Sequence, residues 1–214
     1  MRPPKKAIRA PILPAALEPR TLTSIDAAEL EQCRLDVCTL SSQSGERVRF
    51  DGVKVLGGTL GATKLTHLTW TDVLCERCDL SMIEWRGAKL SRVEFRECRI
   101  TGAKLQEGEL DDVRFVECQV DYASFAEARF RRVAFEGCRL KEADFSETDL
   151  AGTSFLRCDL SGVDFTRAKL HGVDVSTSSL GEVRVGAGDV RGLVVNREQA
   201  TVLSQLFGLV LCDG

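Results

Sequence analysis

Cysteine is the residue type in this chain best suited to chemistry, and two of its nine cysteines form a C-x-x-C pair. Cys75 and Cys78 have the spacing of half a tetrahedral zinc site or of a redox-active dithiol. A zinc site needs two further ligands, but the sequence contains no second C-x-x-C and no histidine beside this one. We therefore predict that both side chains lie in the core, where a thiol behaves as a small apolar group.

A second pattern is that cysteines recur at every twentieth position. They are Cys78, Cys98, Cys118, Cys138 and Cys158. Sulfurs stacked on neighbouring strands would lie about 4.8 Å apart, whereas a disulfide bond is about 2.05 Å long. We predict that these thiols are reduced and buried. Residues 1–14 are basic and proline-rich without an apolar export signal, so this many thiols indicates a cytoplasmic protein.

No other combination of residues indicates an enzyme. The two histidines, His67 and His171, are far apart, and no phosphate-binding glycine loop, nucleophile elbow or H-E-x-x-H motif occurs. The sequence also lacks an apolar run of about 18 residues, so no membrane span is predicted. We expect no catalytic activity, no cofactor and no bound metal.

A repeat of five residues defines the elements that must position these side chains. From Leu30 to Leu180 every fifth residue is mostly large and apolar, and the residue two places before it is mostly small. Examples are Leu90, Phe95, Ile100 and Leu105, preceded by Ala88, Val93, Cys98 and Ala103. A period of five fits neither a helix nor a strand. It fits a chain that turns a corner every five residues, with one large and one small side chain inward on each face.

A longer period, of four pentapeptides, lies within the period of five. Phe95, Phe115, Phe135 and Phe155 are spaced four pentapeptides apart, as are the five cysteines. Like residues therefore stack when four faces complete one coil. The register holds over residues 28–195 without an insertion.

These repeats resemble the pentapeptide repeat family, whose motif is roughly A-(D/N)-L-x-x. Residues 143–147 (ADFSE) and 163–167 (VDFTR) match it closely. The resemblance implies an all-β fold, a right-handed quadrilateral β-helix with four pentapeptides in each coil. A solenoid of this kind needs caps at both ends, because its terminal coils expose open backbone.

We predict three segments: an irregular N-terminal segment at 1–22, the β-helix at 23–195, and a C-terminal cap at 196–214. Asn196 and Gln199 form a capping box at the start of a short capping helix. Gly208 ends that helix, and a short strand follows over 209–212. Residues 41–45 break the inward pattern without breaking register, which predicts a bulged loop on an early coil.

An acidic surface is predicted on the outside of the rod. Glu107, Glu127 and Glu147 occupy the same position in consecutive coils, so they stack as three like charges. Around them we place five further carboxylates, Glu109, Glu142, Asp144, Asp149 and Asp164. Five bases interrupt this surface: Lys104, Arg129, Lys141, Arg167 and Lys169. If these bases neutralise the carboxylates, the cluster is an ordinary solvated surface.

The long repeat and the tail together resemble a bacterial subset of the family, the quinolone-resistance and topoisomerase-protection proteins. The tail over 197–213 combines a helix with an aliphatic strand that ends in an acid. The resemblance implies a two-fold homodimer through this segment, and we assign its interface to Leu203, Leu206, Phe207, Leu209 and Leu211. It also implies a rod that imitates DNA and binds DNA gyrase or topoisomerase IV, protecting it from inhibitors, without binding nucleic acid itself. The alternative is a non-enzymatic β-helical scaffold for an unrelated protein partner.

Overall fold

A computed structural model of the chain describes residues 7–210. They form a right-handed quadrilateral β-helix of parallel strands with one short helix at its C-terminal end. The strands are β1 (Glu18–Arg20), β2 (Glu29–Glu31), β3 (Cys33–Asp36), β4 (Ser44–Glu46), β5 (Arg49–Asp51), β6 (Lys54–Leu56), β7 (Lys64–Thr66), β8 (Thr69–Glu76), β9 (Lys89–Arg96), β10 (Glu109–Val116), β11 (Arg129–Glu136) and β12 (Ser154–Leu156). The helix is α1 (Arg197–Leu206). The predicted fold class is confirmed.

Strand pairing has a constant offset of four pentapeptides within the repeats. Glu29 pairs with Arg49, Arg49 with Thr69, and Thr69 with Lys89. Parallel bridges continue this offset as far as Asp174 with Val194. Each coil therefore contains four five-residue faces, as the longer sequence period predicts.

The corners show how the chain turns every five residues. In the described part of the chain, the non-glycine residues with positive φ all have numbers ending in 2 or 7. Glu107, for example, has a φ of 58° and Glu127 a φ of 60°. This left-handed conformation costs a residue with a Cβ about 1–2 kcal/mol, which the hydrogen-bond ladder and the packed core must offset. The five-residue period does not reveal the strain, because alanine, arginine and glutamate occupy corners as well as glycine.

The centre of the rod is filled by stacked aromatic rings. The ring centroids of Phe95 and Phe115 are 5.0 Å apart, and those of Phe115 and Phe135 are 4.6 Å apart, with nearly parallel planes. Phe155 continues this ladder at 5.1 Å from Phe135. A second ladder meets the first edge-on and consists of Phe125, Phe145 and Phe165. Both arrangements are favourable for rings, so the large inward positions pack as the repeat predicts.

The described cysteines occupy inward positions, as predicted: Cys75 a large position and the others small ones. Cys75 and Cys78 are 0 % and 2 % exposed, and the eight described cysteines are all free and buried. The five cysteines that recur every twenty residues, here called the ladder thiols, each donate to a backbone carbonyl. Cys118 donates to the carbonyl of Phe95 over 3.4 Å, and Cys138 donates to that of Phe115 over 3.3 Å. Cys212 lies outside the described residues.

We expect the ladder thiols to be unreactive in the native protein. Cys98, Cys118 and Cys138 are at most 2 % exposed, so a reagent cannot reach their sulfurs while the coils are folded. With Cys212 replaced by serine, Cys98, Cys118 and Cys138 should react with a thiol reagent at least about tenfold faster after denaturation than before it. Equal labelling rates in both states would contradict their inward assignment.

The N-terminal end of the rod differs from the prediction of a bulged loop at 41–45. Residues in this stretch form a regular face, and Gly45 in β4 pairs with Leu65 in β7. A Cβ at Gly45 would lie 2.9 Å from the Cα of Asp26, so only glycine allows the chain to approach this closely. Gln43 accepts from the backbone N–H of Ile25 and donates to the carbonyl of Thr23. The Gln43 side chain therefore supplies hydrogen-bond partners for the backbone of the first coil. The prediction of a bulged loop at 41–45 was wrong.

The segment predicted to be irregular, residues 1–22, contains a strand in its described part, 7–22, and residues 1–6 lie outside the described residues. Strand β1 pairs in parallel with β3, and Glu18 lies opposite Cys33. These two residues are three pentapeptides apart in the chain, rather than four, so the first turn is one face short. The sequence pattern missed this strand because all three residues of β1 are exposed, so they carry no apolar signal.

The C-terminal end is capped as the sequence predicts. The Asn196 side chain accepts from the N–H of Gln199, and the Gln199 side chain accepts from the N–H of Asn196, both over 2.9 Å. Gln199 also donates to the carbonyls of Val175 and Ser178, which joins the helix to the last regular coil. Gly208 has a φ of 75° and lies just beyond the helix. Leu209 and Val210, the described half of the predicted strand over 209–212, do not form a strand, and the other half lies outside the described residues.

Candidate partner-binding surface

Three exposed glutamates occupy one corner of the rod, on consecutive coils. Glu107, Glu127 and Glu147 each have positive φ, which directs the side chain away from the core. We call these three residues the acidic corner. The ladder places them about 4.8 Å apart along the rod. The predicted column of like charges is therefore present in the backbone geometry.

Arginines on the coils at either end of the acidic corner reach back to it. Arg86 forms an ion pair with Glu107, and Arg167 forms one with Glu147. The hydrogen bond from Arg86 holds the pKa of Glu107 below its usual range. Glu127 lies between the two pairs. Two of the three carboxylates are thus neutralised, so the acidic corner carries much less charge than its sequence suggests.

Most of the five surrounding carboxylates also face bases. Lys89 lies 4.0 Å from Glu109, and Lys169 lies 3.0 Å from Asp149. Arg184 pairs with both Glu142 and Asp164, at 3.4 and 3.0 Å. Asp144 accepts from the hydroxyl of Ser124 and the N–H of Ser146. The eight predicted residues share one region of the rod, but it is a mixed-charge surface and not a continuous acidic one.

Shallow depressions follow the acidic corner. One is lined by Glu84, Arg86, Lys104, Gln106, Glu107 and Glu127. The next along the rod is lined by Glu127, Ala128, Arg129, Phe130, Glu147, Asp149 and Lys169. A third lies beyond Glu107 and includes His67 and Lys89. The corner is therefore bordered by concave surface that a protein partner can fill.

The tail residues divide between the last coil and solvent. Leu203 is 8 % exposed and belongs to the core, and Phe207 is partly buried against that core. Leu206 and Leu209 are 47 % and 60 % exposed. The Leu203 and Phe207 side chains complete the cap, because the apolar interior of the last coil would otherwise be exposed to water. Only Leu206 and Leu209 of the predicted interface remain available to a second copy, and Leu211 lies outside the described residues.

The described residues contain no cluster of side chains that could bind a metal ion. Across 7–210, no set of three or more histidine, cysteine, aspartate or glutamate side chains is placed to hold an ion. His67 and His171 both lie at exposed outward positions. Within the same range, the structure contains no helix with the length and hydropathy that crossing a bilayer requires.

Sequence reasoning missed two aspartates that hold the N-terminal segment. Asp72 and Asp112 lie at corners yet are only 7 % and 1 % exposed. The available signal was the alternation of Asp72, Arg92, Asp112 and Arg132 at one position of successive coils. It resembles an ordinary surface ladder of opposite charges, so spacing alone does not show that the carboxylates are buried.

This coil geometry and its inward ladders define a pentapeptide-repeat solenoid. A profile of the pentapeptide repeat region matches residues 68–145, 88–165 and 128–199. These matches cover more than half of the chain, which belongs to the pentapeptide repeat family.

The chain is also similar to solved structures of other proteins. One is a trypsin-treated form of QnrB1, a plasmid-mediated fluoroquinolone resistance protein, at 19 % identity over 92 % of this chain and 100 % of the other, with a TM-score of 0.34. Another is HetL, a pentapeptide repeat protein involved in heterocyst differentiation regulation from the cyanobacterium Nostoc sp. strain PCC 7120. Its identity is 16 % over 77 % of this chain and 87 % of its own, with a TM-score of 0.36. A search of curated proteins found no significant match.

Proposed function

We propose that this protein is a non-enzymatic rod that binds a bacterial type II topoisomerase, DNA gyrase or topoisomerase IV, in the place where that enzyme holds DNA. The observation that supports the proposal is the acidic corner, where Glu107, Glu127 and Glu147 project from consecutive coils beside concave surface. A protein surface that binds DNA is basic, so carboxylates at regular intervals can occupy the positions of phosphates. Bound there, the rod protects the enzyme from inhibitors that act on its DNA complex.

The ion pairs restrict how this mimicry operates. DNA carries one charge per about 1.7 Å of its axis, whereas Arg86 and Arg167 neutralise two of the three corner carboxylates. The shape of the rod must therefore contribute most of the fit. Basic groups of the topoisomerase replace Arg86 and Arg167 as partners of the glutamates. Exposed pairs of this kind are weak, because water and salt screen them, so exchanging them costs little.

The second candidate is a β-helical scaffold for an unrelated protein partner. The mixed charge of the surface favours it, since Lys169 and Arg167 interrupt the acidic region as the scaffold alternative requires. Both candidates are non-enzymatic, and both place the protein in the cytoplasm, where its buried thiols stay reduced. They differ in whether purified topoisomerase is bound.

Charge reversal at the acidic corner tests the first candidate. Glu107→Lys, Glu127→Lys and Glu147→Lys together should leave the fold intact, because these side chains are exposed. They should weaken binding to purified gyrase at least about tenfold and remove protection of supercoiling against a fluoroquinolone, since close charge pairs across an interface become repulsive. Binding of the wild type should also weaken as salt rises.

The chain offers a matched control for this variant. Glu97, Glu117 and Glu182 are also exposed and have positive φ, but they lie on other corners. Their replacement by lysine makes the same charge change in the same backbone conformation and should leave binding unchanged. If the corner variant protects gyrase as well as the wild type, another surface is responsible. If the wild type binds neither topoisomerase, the scaffold candidate stands.

We also propose that two copies associate through the C-terminal patch of Leu206 and Leu209. A two-fold contact uses one patch twice, and this patch lies at the end of the rod, so the dimer is an elongated rod. Leu206→Asp with Leu209→Asp should produce monomers in sedimentation velocity at micromolar concentration, because buried carboxylates would be unpaired. Val37→Asp, at another exposed apolar residue near the other end, should leave the dimer unchanged. A wild type that is already monomeric would refute the assignment.

A further inference from the structure

The N-terminal segment runs along the outside of the rod and is held at two points. The N–H of Arg9 donates to Asp112 over 3.1 Å, and the Arg9 Nε donates to the same carboxylate over 2.5 Å. Three residues later, the N–H of Ile12 donates to Asp72 over 2.8 Å. The two aspartates are two coils apart, about 10 Å along the rod, which matches the rise of three extended residues. The segment therefore lies parallel to the rod axis, across the coils.

Each aspartate is also bound by the arginine one coil further along. Arg92 donates to both oxygens of Asp72 at 2.7 and 2.6 Å, and Arg132 donates to both oxygens of Asp112 at 2.6 and 2.8 Å. A buried charge that loses its only partner is strongly destabilising. These carboxylates keep an arginine when the segment leaves, so the edge of the rod retains its structure without the segment.

Apolar contact also helps to hold the segment, because Ile8, Pro11 and Leu13 are partly buried. Ile12 is 72 % exposed and the Arg9 side chain is 56 % exposed. Pro11 and Pro14 restrict the residues before them to extended conformations, which reduces the entropy lost on docking. The two aspartates therefore anchor the backbone and the Arg9 side chain, and the partly buried apolar side chains add to this attachment.

We propose that the edge formed by Asp72 and Asp112 is a peptide-binding site for extended segments that contain an arginine, and that residues 7–14 of this chain occupy it as a detachable strap. The carboxylates select the ligand: each accepts a backbone N–H, and Asp112 also accepts a guanidinium. The strap lies on a different corner from Glu107, Glu127 and Glu147, so this proposal does not depend on topoisomerase binding.

Amide exchange in the full-length protein tests whether the strap is docked. Measured by NMR, the N–H groups of Arg9 and Ile12 should exchange at least about tenfold more slowly than in a free peptide, because their acceptors are buried. Arg9→Ala should remove this protection at Ile12 as well, since both anchors hold one short segment. Arg47→Ala, at an exposed arginine on another corner, should have no effect.

Binding of a separate peptide tests whether the surface formed by Asp72 and Asp112 is a peptide-binding site, and not only a contact within the folded chain. A fluorescent peptide of residues 7–14 should bind the full-length Arg9→Ala protein at least about tenfold more tightly than the wild type, whose own strap competes. The same peptide carrying Arg9→Ala should bind at least about tenfold more weakly. This peptide comparison uses one protein, so it does not depend on how the substitution affects folding. Unprotected amides in the wild type, or equal affinity of the two peptides, would overturn the proposal.

Discussion

Phe135→Ala is expected to lower the free energy of unfolding by about 3–5 kcal/mol, the usual cost of removing a large buried aromatic side chain. Phe135 is 0 % exposed and stacks between Phe115 and Phe155, at 4.6 and 5.1 Å between ring centroids. It also meets Phe125 and Phe145 edge-on, at 6.0 and 5.8 Å. Alanine would break the first ladder at one coil, remove its edge-on contacts with Phe125 and Phe145, and leave a cavity that the hydrogen-bonded faces cannot readily close.

Denaturant unfolding measures this loss, and Phe135→Leu provides the comparison. Leucine keeps an apolar side chain in most of the space, so its cost should be below about half that of alanine. Because each coil of a solenoid contacts only its neighbours, the transition should be followed both by circular dichroism and by Trp70 and Trp85, which lie several coils away. A loss below about 1 kcal/mol for alanine would mean that the aromatic ladder is not a close-packed core.

The sequence is most informative about the inward positions. Phe135 and Cys138 each occur at an inward place in a strict period, and a side chain repeated once in every coil has only one arrangement in which all copies are buried. The helix cap was also predictable, because Asn196 and Gln199 interact over three residues of sequence. Both kinds of inference depend on local spacing, which the sequence records directly.

Contacts between coils on the outer surface were much less predictable. Arg86 reaches Glu107 on the next coil, and Gln43 closes the first coil by contacting Thr23 and Ile25. The outward positions tolerate many residue types, so their pairing depends on side-chain conformation and not on period. The acidic corner was therefore correctly located from the sequence, whereas its neutralisation became visible only in the structure.

Loss of the charge on Asp112 is expected to have the other large effect. Its side chain is 0 % exposed and is bound by Arg132 and Arg9. Asp112→Asn keeps the size and tolerates the left-handed backbone, so it removes mainly the charge. Breaking a buried pair costs about 3–5 kcal/mol. We expect about 3 kcal/mol, the lower end of that range, because Arg132 keeps Asp111 as a partner.

The dependence of this effect on pH identifies the charge as its cause. Burial alone would raise the pKa of Asp112, but the hydrogen bonds from Arg132 and Arg9 outweigh it and lower the pKa in the folded protein. The stabilisation is therefore complete above the unfolded value of about 3.9 and is lost as pH falls towards the folded pKa. The difference in unfolding free energy between wild type and Asp112→Asn should be constant near neutral pH and shrink below about pH 4.

Asp111→Asn is the matched control, since the neighbouring carboxylate is 24 % exposed and should contribute about 1 kcal/mol or less. Equal losses for the two variants would mean that Asp112 is no more than a surface partner of its arginines.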